Sequence, residues 1–467
     1  MSSWDAARVA SAAGAELLAG GTQGAAEAPP RAVVDTRALT PGELFVGLQG
    51  EREDGGARAG EALAAGAWGV LVSPQHARAA LDSGPGAVLC HPDPLGGLQA
   101  LARAWRRELG ERGCAVVAIT GSTGKTSTKD ILAALLAKAM PTAASPANLN
   151  TEIGLPLAIL AAPAATRALV LEMAMRGSGQ IAELAAIAEP DVGVIVNVGP
   201  AHLELLGSLE NIAAAKAELI AGLRAGAIVV VPAAEPLLEP HLREDLRTIR
   251  FGDGGDVALV GDQGRPGADT TGCVRIAVHG EEIELRPSFA QAHNLRNLLV
   301  AVAAASALGP VPEGRLKVEF SAMRGQREQL PGGAVLIDDC YNANPMSMHA
   351  AIDELAATPA SRRVAVLGEM LELGAEGPAL HRRLGAHARD AGVDLLVTVG
   401  PLGAEIAAGY GAGAQQLPDA QAAAAALPAQ IREGDIVLVK ASRGVGLERV
   451  CEALRAGAPA LASQGRR

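Results

Sequence analysis

The sequence predicts an α/β protein of three domains built on parallel sheets, and three observations carry that prediction. Only 2% of the residues are aromatic while 49% are hydrophobic, so the cores must be assembled from Ala, Val, Leu and Ile. Parallel strands covered by Ala-rich helices suit that inventory better than an aromatic-rich β-sandwich. Short β-branched runs alternate with helix-period segments along most of the chain, which is the rhythm of βαβ units. Finally, 467 residues exceed one ordinary core, and domains of roughly 100 to 200 residues give about three.

Residues 1–112 open with an Ala-rich helical stretch, continue through "RAVVDTRALTPGELFVGLQG", and then alternate helix and strand signals such as "GAWGVLV". A second unit, 113–309, begins where "CAVVAIT" runs into "GSTGKTSTKDILAALLAKAM" and the hydrophobic period changes from strand to helix. Further strands at "ALVLEMA" and "DVGVIVNV" extend a central parallel sheet, and the helix "NLRNLLVAVAAASAL" closes it. The Gly/Asp-rich stretch 251–272 reads as turns or a small β insertion. "GPVPEG", residues 309–314, reads as a linker because Pro and Gly break regular structure. Beyond it, in 310–467, strands at "AVLIDD", "RVAVLG", "DLLVTVG" and "DIVLVK" alternate with helices, giving a Rossmann-like C-terminal domain.

Composition excludes several function classes. A net charge of −11 without a clustered Lys/Arg run argues against a nucleic-acid-binding surface. Five cysteines without a CxxC pair fit reduced thiols and a cytoplasmic setting. The charges Asp5, Arg8 and Glu16 set the N-terminus apart from a signal peptide's core, and no apolar run approaches the roughly 20 residues of a membrane span. Six lysines stand against thirty-four arginines, so a lysine that survives is worth individual inspection.

"TGSTGKTS", residues 120–127, lies between a strand and a helix, where backbone N–H groups converge on a phosphate. Gly121 and Gly124 permit close backbone approach, with Ser122, Thr123 and Ser127 completing the loop. Lys125 reaches the β- and γ-phosphates of a nucleotide, and the Thr126 hydroxyl suits Mg²⁺. Ile119 stands where the general pattern has glycine. Glu172 in "LVLEMAMRGSGQI" ends a strand, the edge at which open α/β sheets bind ligands. His202 follows another strand, and Lys216 sits on a helix soon after. Taken alone, His202 serves equally as a helix-start or packing residue and Lys216 as a solvated helix residue. Asn294 and Asn297 lie one helical turn apart, able to face one ligand, although Asn294 also suits a helix cap.

The "Thr-Gly" start of the loop, together with these blocks, resembles the Mur ligase family, which includes the folylpolyglutamate synthases. The resemblance implies ATP and Mg²⁺ as cofactors, with Thr126, Glu172, His202 and Lys216 as the metal site, Lys216 carrying a CO₂-derived carbamate. A carbamate requires a lysine that deprotonates when desolvated, which arginine cannot do. It also implies nucleotide contacts at Asn294, Asn297, Asp338 and Asp339, and a bridging arginine that is Arg324 or Arg327, with Arg324 fitting the spacing to the following Asp pair without a gap.

The flanking segments indicate the branch of the family. "DTRALTPGELFVGLQGEREDG" is similar to a uridine-nucleotide domain, with Thr36 and Arg37 as contacts, although Asp54-Gly55-Gly56 stands where Asp-Gly-His is frequent. "NLNTEIGLPL" resembles a substrate segment and supplies Asn148, Asn150 and Thr151. "DDCYNANPMSM" and "VLVKASRGVGLERV" supply Tyr341, Asn342, Asn344, Lys440, Ser442 and Arg443, with Ala441 where glycine is usual, and "LGEMLELG" accompanies them. Together they resemble the members that add D-alanyl-D-alanine to UDP-N-acetylmuramoyl-tripeptide. The implied protein is a monomeric ATP-dependent ligase working through an acyl phosphate. The alternatives are addition of the third amino acid and a nucleotide-binding regulator without catalysis.

Overall fold

A computed structural model describes residues 4–20, 29, 31–146, 148–260 and 272–457. Three sheets follow one another along the chain. The first has five strands between residues 16 and 90, parallel except for Glu16–Gly20, which pairs antiparallel with Ala87–Cys90. Its outer layer includes the helix Pro94–Glu111, whose Trp105 meets Trp4 edge-on at 5.7 Å in one of the deepest parts of the core.

The ten-stranded central sheet is organised around Ala115–Thr120, which lies parallel between Ala168–Glu172 and Val192–Ile195. All three strands are buried nearly throughout, and their continuous apolar runs are what a sheet covered on both faces requires. The helix Lys125–Leu136 follows the first of them and packs against Ala292–Ser306, an almost wholly apolar helix. Two features depart from a purely parallel sheet. Val257–Leu259, Val274–Val278 and Glu281–Pro287 form an antiparallel extension, so part of the stretch read as an insertion is sheet; residues 261–271 lie outside the described residues. In addition, Gly314–Leu316, which begins at the end of the Gly/Pro segment, pairs parallel with Leu285–Pro287 and so still belongs to this sheet.

The C-terminal sheet has six strands. Val335–Asp338, Asp435–Lys440, Arg362–Gly368 and Leu395–Val399 run parallel, with Gln326–Gln329 as an antiparallel edge. The C-terminal ends of the central strands and of this sheet face one cleft, so the loops after them line it together. No described helix is long and apolar enough to cross a membrane.

Candidate active site

The cleft has a volume of about 1160 Å³ and draws on all three sheet units, from Val34 through the loop 120–127 to the segments 339–344 and 440–444. At its floor the strand Ala115–Thr120 turns sharply into a helix. Gly121 and Gly124 adopt φ of 154° and 81°, and a Cβ on Gly124 would approach Asn297 Oδ1 to 2.5 Å, so only glycine allows the turn to pack there. Asn197 holds the loop from below: its Oδ1 accepts the N–H groups of Ser122 and Thr123 at 3.1 and 3.0 Å. Those two amides are thereby committed. The first-turn amides of Lys125, Thr126 and Ser127 have no partner within the helix and remain for an anion, with the helix dipole adding to them.

Lys125 Nζ donates to Gly121 O at 2.7 Å, and burial pulls its pKa below the ordinary lysine value. Beside it the Thr126 hydroxyl donates to Glu172 Oε2 at 2.8 Å while Asn150 donates to Oε1 at 2.8 Å, so the carboxylate is aimed from both sides. Glu172 is 2% exposed. Lys216, from the helix Leu209–Ala221, reaches the same cleft at 1% exposure and has no hydrogen-bond or ion-pair partner among the described residues. Burial, with Lys125 nearby, drives its pKa well below 10.5 and favours the neutral amine. His202 lies at the N-terminus of the short helix Leu203–Leu206 with φ 60° and faces Glu372 through Nδ1. Burial keeps its pKa below 6.5 against the pull of Glu372, so the ring is a neutral donor. Hydroxyl, carboxylate and imidazole around one cavity make a donor set that fits a small divalent cation, the oxygens being the hard ligands Mg²⁺ prefers.

The opposite wall comes from the C-terminal unit. Arg324 stacks on Tyr341 at 3.8 Å, and Arg443 lies over the same ring at 6.0 Å. Lys440, 3% exposed, donates to Asp339 at 2.7 Å and to Asn342 O at 2.9 Å, fixing the segment after the strand Val335–Asp338. Ser442 braces it through Ala343 O and Leu371 N. Asn344 closes a capping box with Ser347 at the start of the helix Pro345–Ala357 and donates across the cleft to Ser122 O at 3.1 Å. The phosphate loop and the far wall are thus directly joined.

Family models bear on this arrangement: the Mur ligase middle domain matches residues 119–305, and the Mur ligase glutamate ligase domain matches 323–443. A UDP-N-acetylmuramoyl-tripeptide–D-alanyl-D-alanine ligase of Synechocystis is 37% identical over 91% of this chain and 92% of its own. The chain belongs to the Mur ligase family. The enzyme of the same name from Bacillus subtilis is 35% identical over 90% of this chain and 92% of its own. Among solved structures, MurF from Acinetobacter baumannii superposes with a TM-score of 0.81 at 25% identity, covering 97% of this chain and 99% of that one. The MurF ligase of Thermotoga maritima, solved with ADP, gives 0.76 at 31% identity, covering 91% and 97%.

In this Mur ligase the cleft gathers most of the residues marked in the sequence, Asn148 and Thr151 among them. Five stand elsewhere. Asp338 points away from the cleft: Arg455 donates to its Oδ2 at 2.8 Å and the Cys340 thiol to its Oδ1 at 3.0 Å, with Cys451 alongside. Strand alternation explains the split, since neighbouring aspartates leave the sheet on opposite sides and only Asp339 meets the cavity. The two cysteines, distant in sequence, are therefore neighbours, though both are free thiols. Asn294 and Asn297 are buried beneath the loop and bonded to each other at 3.3 Å; the helix starts at Ala292 with Gln291 at its N-cap, so Asn294 caps nothing. Thr36, half-buried, and Arg37, exposed, open a short 3-10 turn outside the cleft lining, where Arg37 is engaged by Asp35 at 2.7 Å. Arg327 instead binds Glu354 at 2.7 Å, so that of these two arginines Arg324 is the one that lines the cavity.

Several site residues escaped sequence reasoning. His293 and Glu354 line the cleft, Asn197 holds the loop, and Glu372 binds His202. His76 occupies the space a side chain on Gly56 would need and bonds Asp54 at 2.8 Å. An imidazole thus stands beside Asp54 although the local Asp-Gly-Gly lacks one. Asn197 and Glu372 fall inside "DVGVIVNV" and "LGEMLELG", but nothing local to either segment assigns the residue a role.

Proposed function

We propose that this Mur ligase joins D-alanyl-D-alanine to UDP-N-acetylmuramoyl-tripeptide at the expense of ATP, as a monomer in the cytoplasm. The observation that carries the reading is one cavity in which the phosphate loop, Glu172 and a buried Lys216, unpartnered among the described residues, face Tyr341, Asn342, Lys440 and Arg443. The names of its relatives at 35–37% identity support the substrate pair.

The nucleotide's terminal phosphates lie at the helix N-terminus with Lys125 as counter-charge. Thr126, Glu172, His202 and Lys216 would hold Mg²⁺, which would supply positive charge to offset that on the transferring phosphoryl group. Lys216 takes part as a carbamate: its neutral Nζ forms a bond to the carbon of CO₂, one C=O bond opens to an oxyanion, and the nitrogen loses a proton to water. A carboxylate oxygen of the tripeptide attacks the γ-phosphorus and ADP departs, leaving an acyl phosphate. Arg324 supplies positive charge on the far side. The amine of D-alanyl-D-alanine then attacks the acyl carbon, and phosphate leaves with the oxygen that attacked, while the nitrogen gives up a proton to the departing phosphate or to water. Thr36 and Arg37, and the pair Asp54–His76, are the proposed uridine-side contacts; Asn148, Asn150, Thr151 and Ser442 are proposed for the tripeptide and dipeptide.

A coupled phosphate-release assay offering each substrate pair separately tests the reading. Phosphate release that needs both the tripeptide precursor and D-alanyl-D-alanine is expected. Turnover only with the dipeptide precursor and a third amino acid overturns it, as does nucleotide binding without any amine-dependent release. Lys216→Ala should abolish ligation, with partial return on adding formate or acetate to take the carbamate's place; an active alanine variant removes Lys216 from the mechanism.

A further inference from the structure

The contact between His202 and Glu372 joins two sheet units at the cation site. His202 belongs to the central unit, Glu372 to the C-terminal segment after the strand Arg362–Gly368. Both residues adopt left-handed backbone, φ 60° and 63°, a conformation costly for non-glycine residues and characteristic of functional sites. The chain around them is docked as well: Glu204 N donates to Glu372 O at 3.0 Å, and the Cβ position of Gly374 lies 3.2 Å from the Cα of Glu204. The second carboxylate oxygen of Glu372 faces Arg176 at 3.7 Å. With Nδ1 turned to the carboxylate, the proton sits on Nδ1 and the lone pair on Nε2.

We propose that Glu372 is the positioning residue of His202, holding its tautomer and ring so that Nε2 serves as a cation ligand, and thereby making the cation site complete only when the C-terminal unit is docked. The inference rests on the reading of His202 as part of that site. Nothing in the reaction requires Glu372 to touch substrate; it acts through the imidazole.

The test is equilibrium binding of Mn²⁺ to the ADP complex of the full chain, read by the loss of the free-ion resonance signal and requiring no turnover. Glu372→Asn keeps a residue that tolerates left-handed backbone but withdraws the carboxylate, and Glu372→Gln keeps an acceptor for Nδ1–H. Glu372→Asn should weaken Mn²⁺ binding by about 10-fold or more, the usual effect of losing such a partner, at a melting temperature close to the parent's. Glu372→Gln should stay near the parent. In a His202→Asn background, Glu372→Asn should change nothing further. Unchanged Mn²⁺ affinity in Glu372→Asn, or an equal further loss once His202 is gone, overturns the positioning role alone. A His202→Asn variant that binds Mn²⁺ as the parent does overturns both this role and the cation-site reading beneath it.

Discussion

A buried amine without a counter-charge destabilises a fold, and Lys216 is such a group: 1% exposed, unpartnered among the described residues, and repelled by Lys125. Lys216→Met should therefore stabilise the protein by about 1 to 3 kcal/mol, the common cost of burying a polar group without a partner, while abolishing ligation. The pH dependence has a definite sign. The folded pKa lies below 10.5, so the unfolded chain binds a proton that the folded chain does not, and stability rises with pH through that interval. Urea midpoints in CO₂-free buffer should show the gap between Lys216→Met and the parent narrowing as pH rises toward 10.5; a gap that widens would contradict a neutral buried amine. Lys216 was visible in the sequence because lysine is scarce. Asp338 was misplaced because adjacent aspartates look alike until strand alternation separates them. The role of Glu372 was hidden although its segment stood out, because its partner lies 170 residues away, a pairing that only the folded chain creates.

Among the elements, the strand–loop–helix at 115–136 was legible because a β-branched run, two glycines and a helical period each name a different local conformation. The Asn344 segment was legible only in part. Its pattern marked a site, whereas the structure also gives Asn344 a capping box and a bond to Ser122 O. Asn344→Ala should cost about 0.5 to 2 kcal/mol through the lost cap. It should also raise KM for ATP, because the phosphate loop loses its tie to the far wall. An unchanged KM beside a lowered melting temperature would reduce Asn344 to a helix cap. The antiparallel extension of the central sheet was legible only as turns or a small β insertion: Gly- and Asp-rich turns at 252–256 interrupt the periodic signal, and short strands such as Val257–Leu259 leave too few residues to show which sheet they join.

At the scale of the molecule, the α/β architecture followed from composition and rhythm, since a chain poor in aromatics must bury aliphatic strands on both faces. What composition cannot encode is how the units meet. Here they meet through Asn344 on Ser122 and Glu372 on His202, which bring the wall from the C-terminal unit against the phosphate loop. That arrangement makes sense for a reactive intermediate that water must not reach. The most direct test is to label the tripeptide's terminal carboxylate with heavy oxygen and follow the label through one turnover with D-alanyl-D-alanine. Attack of that carboxylate on the γ-phosphate requires one labelled oxygen to emerge in inorganic phosphate. Labelled oxygen released to water, or recovered in AMP, with none in inorganic phosphate would contradict an acyl phosphate formed in this cleft.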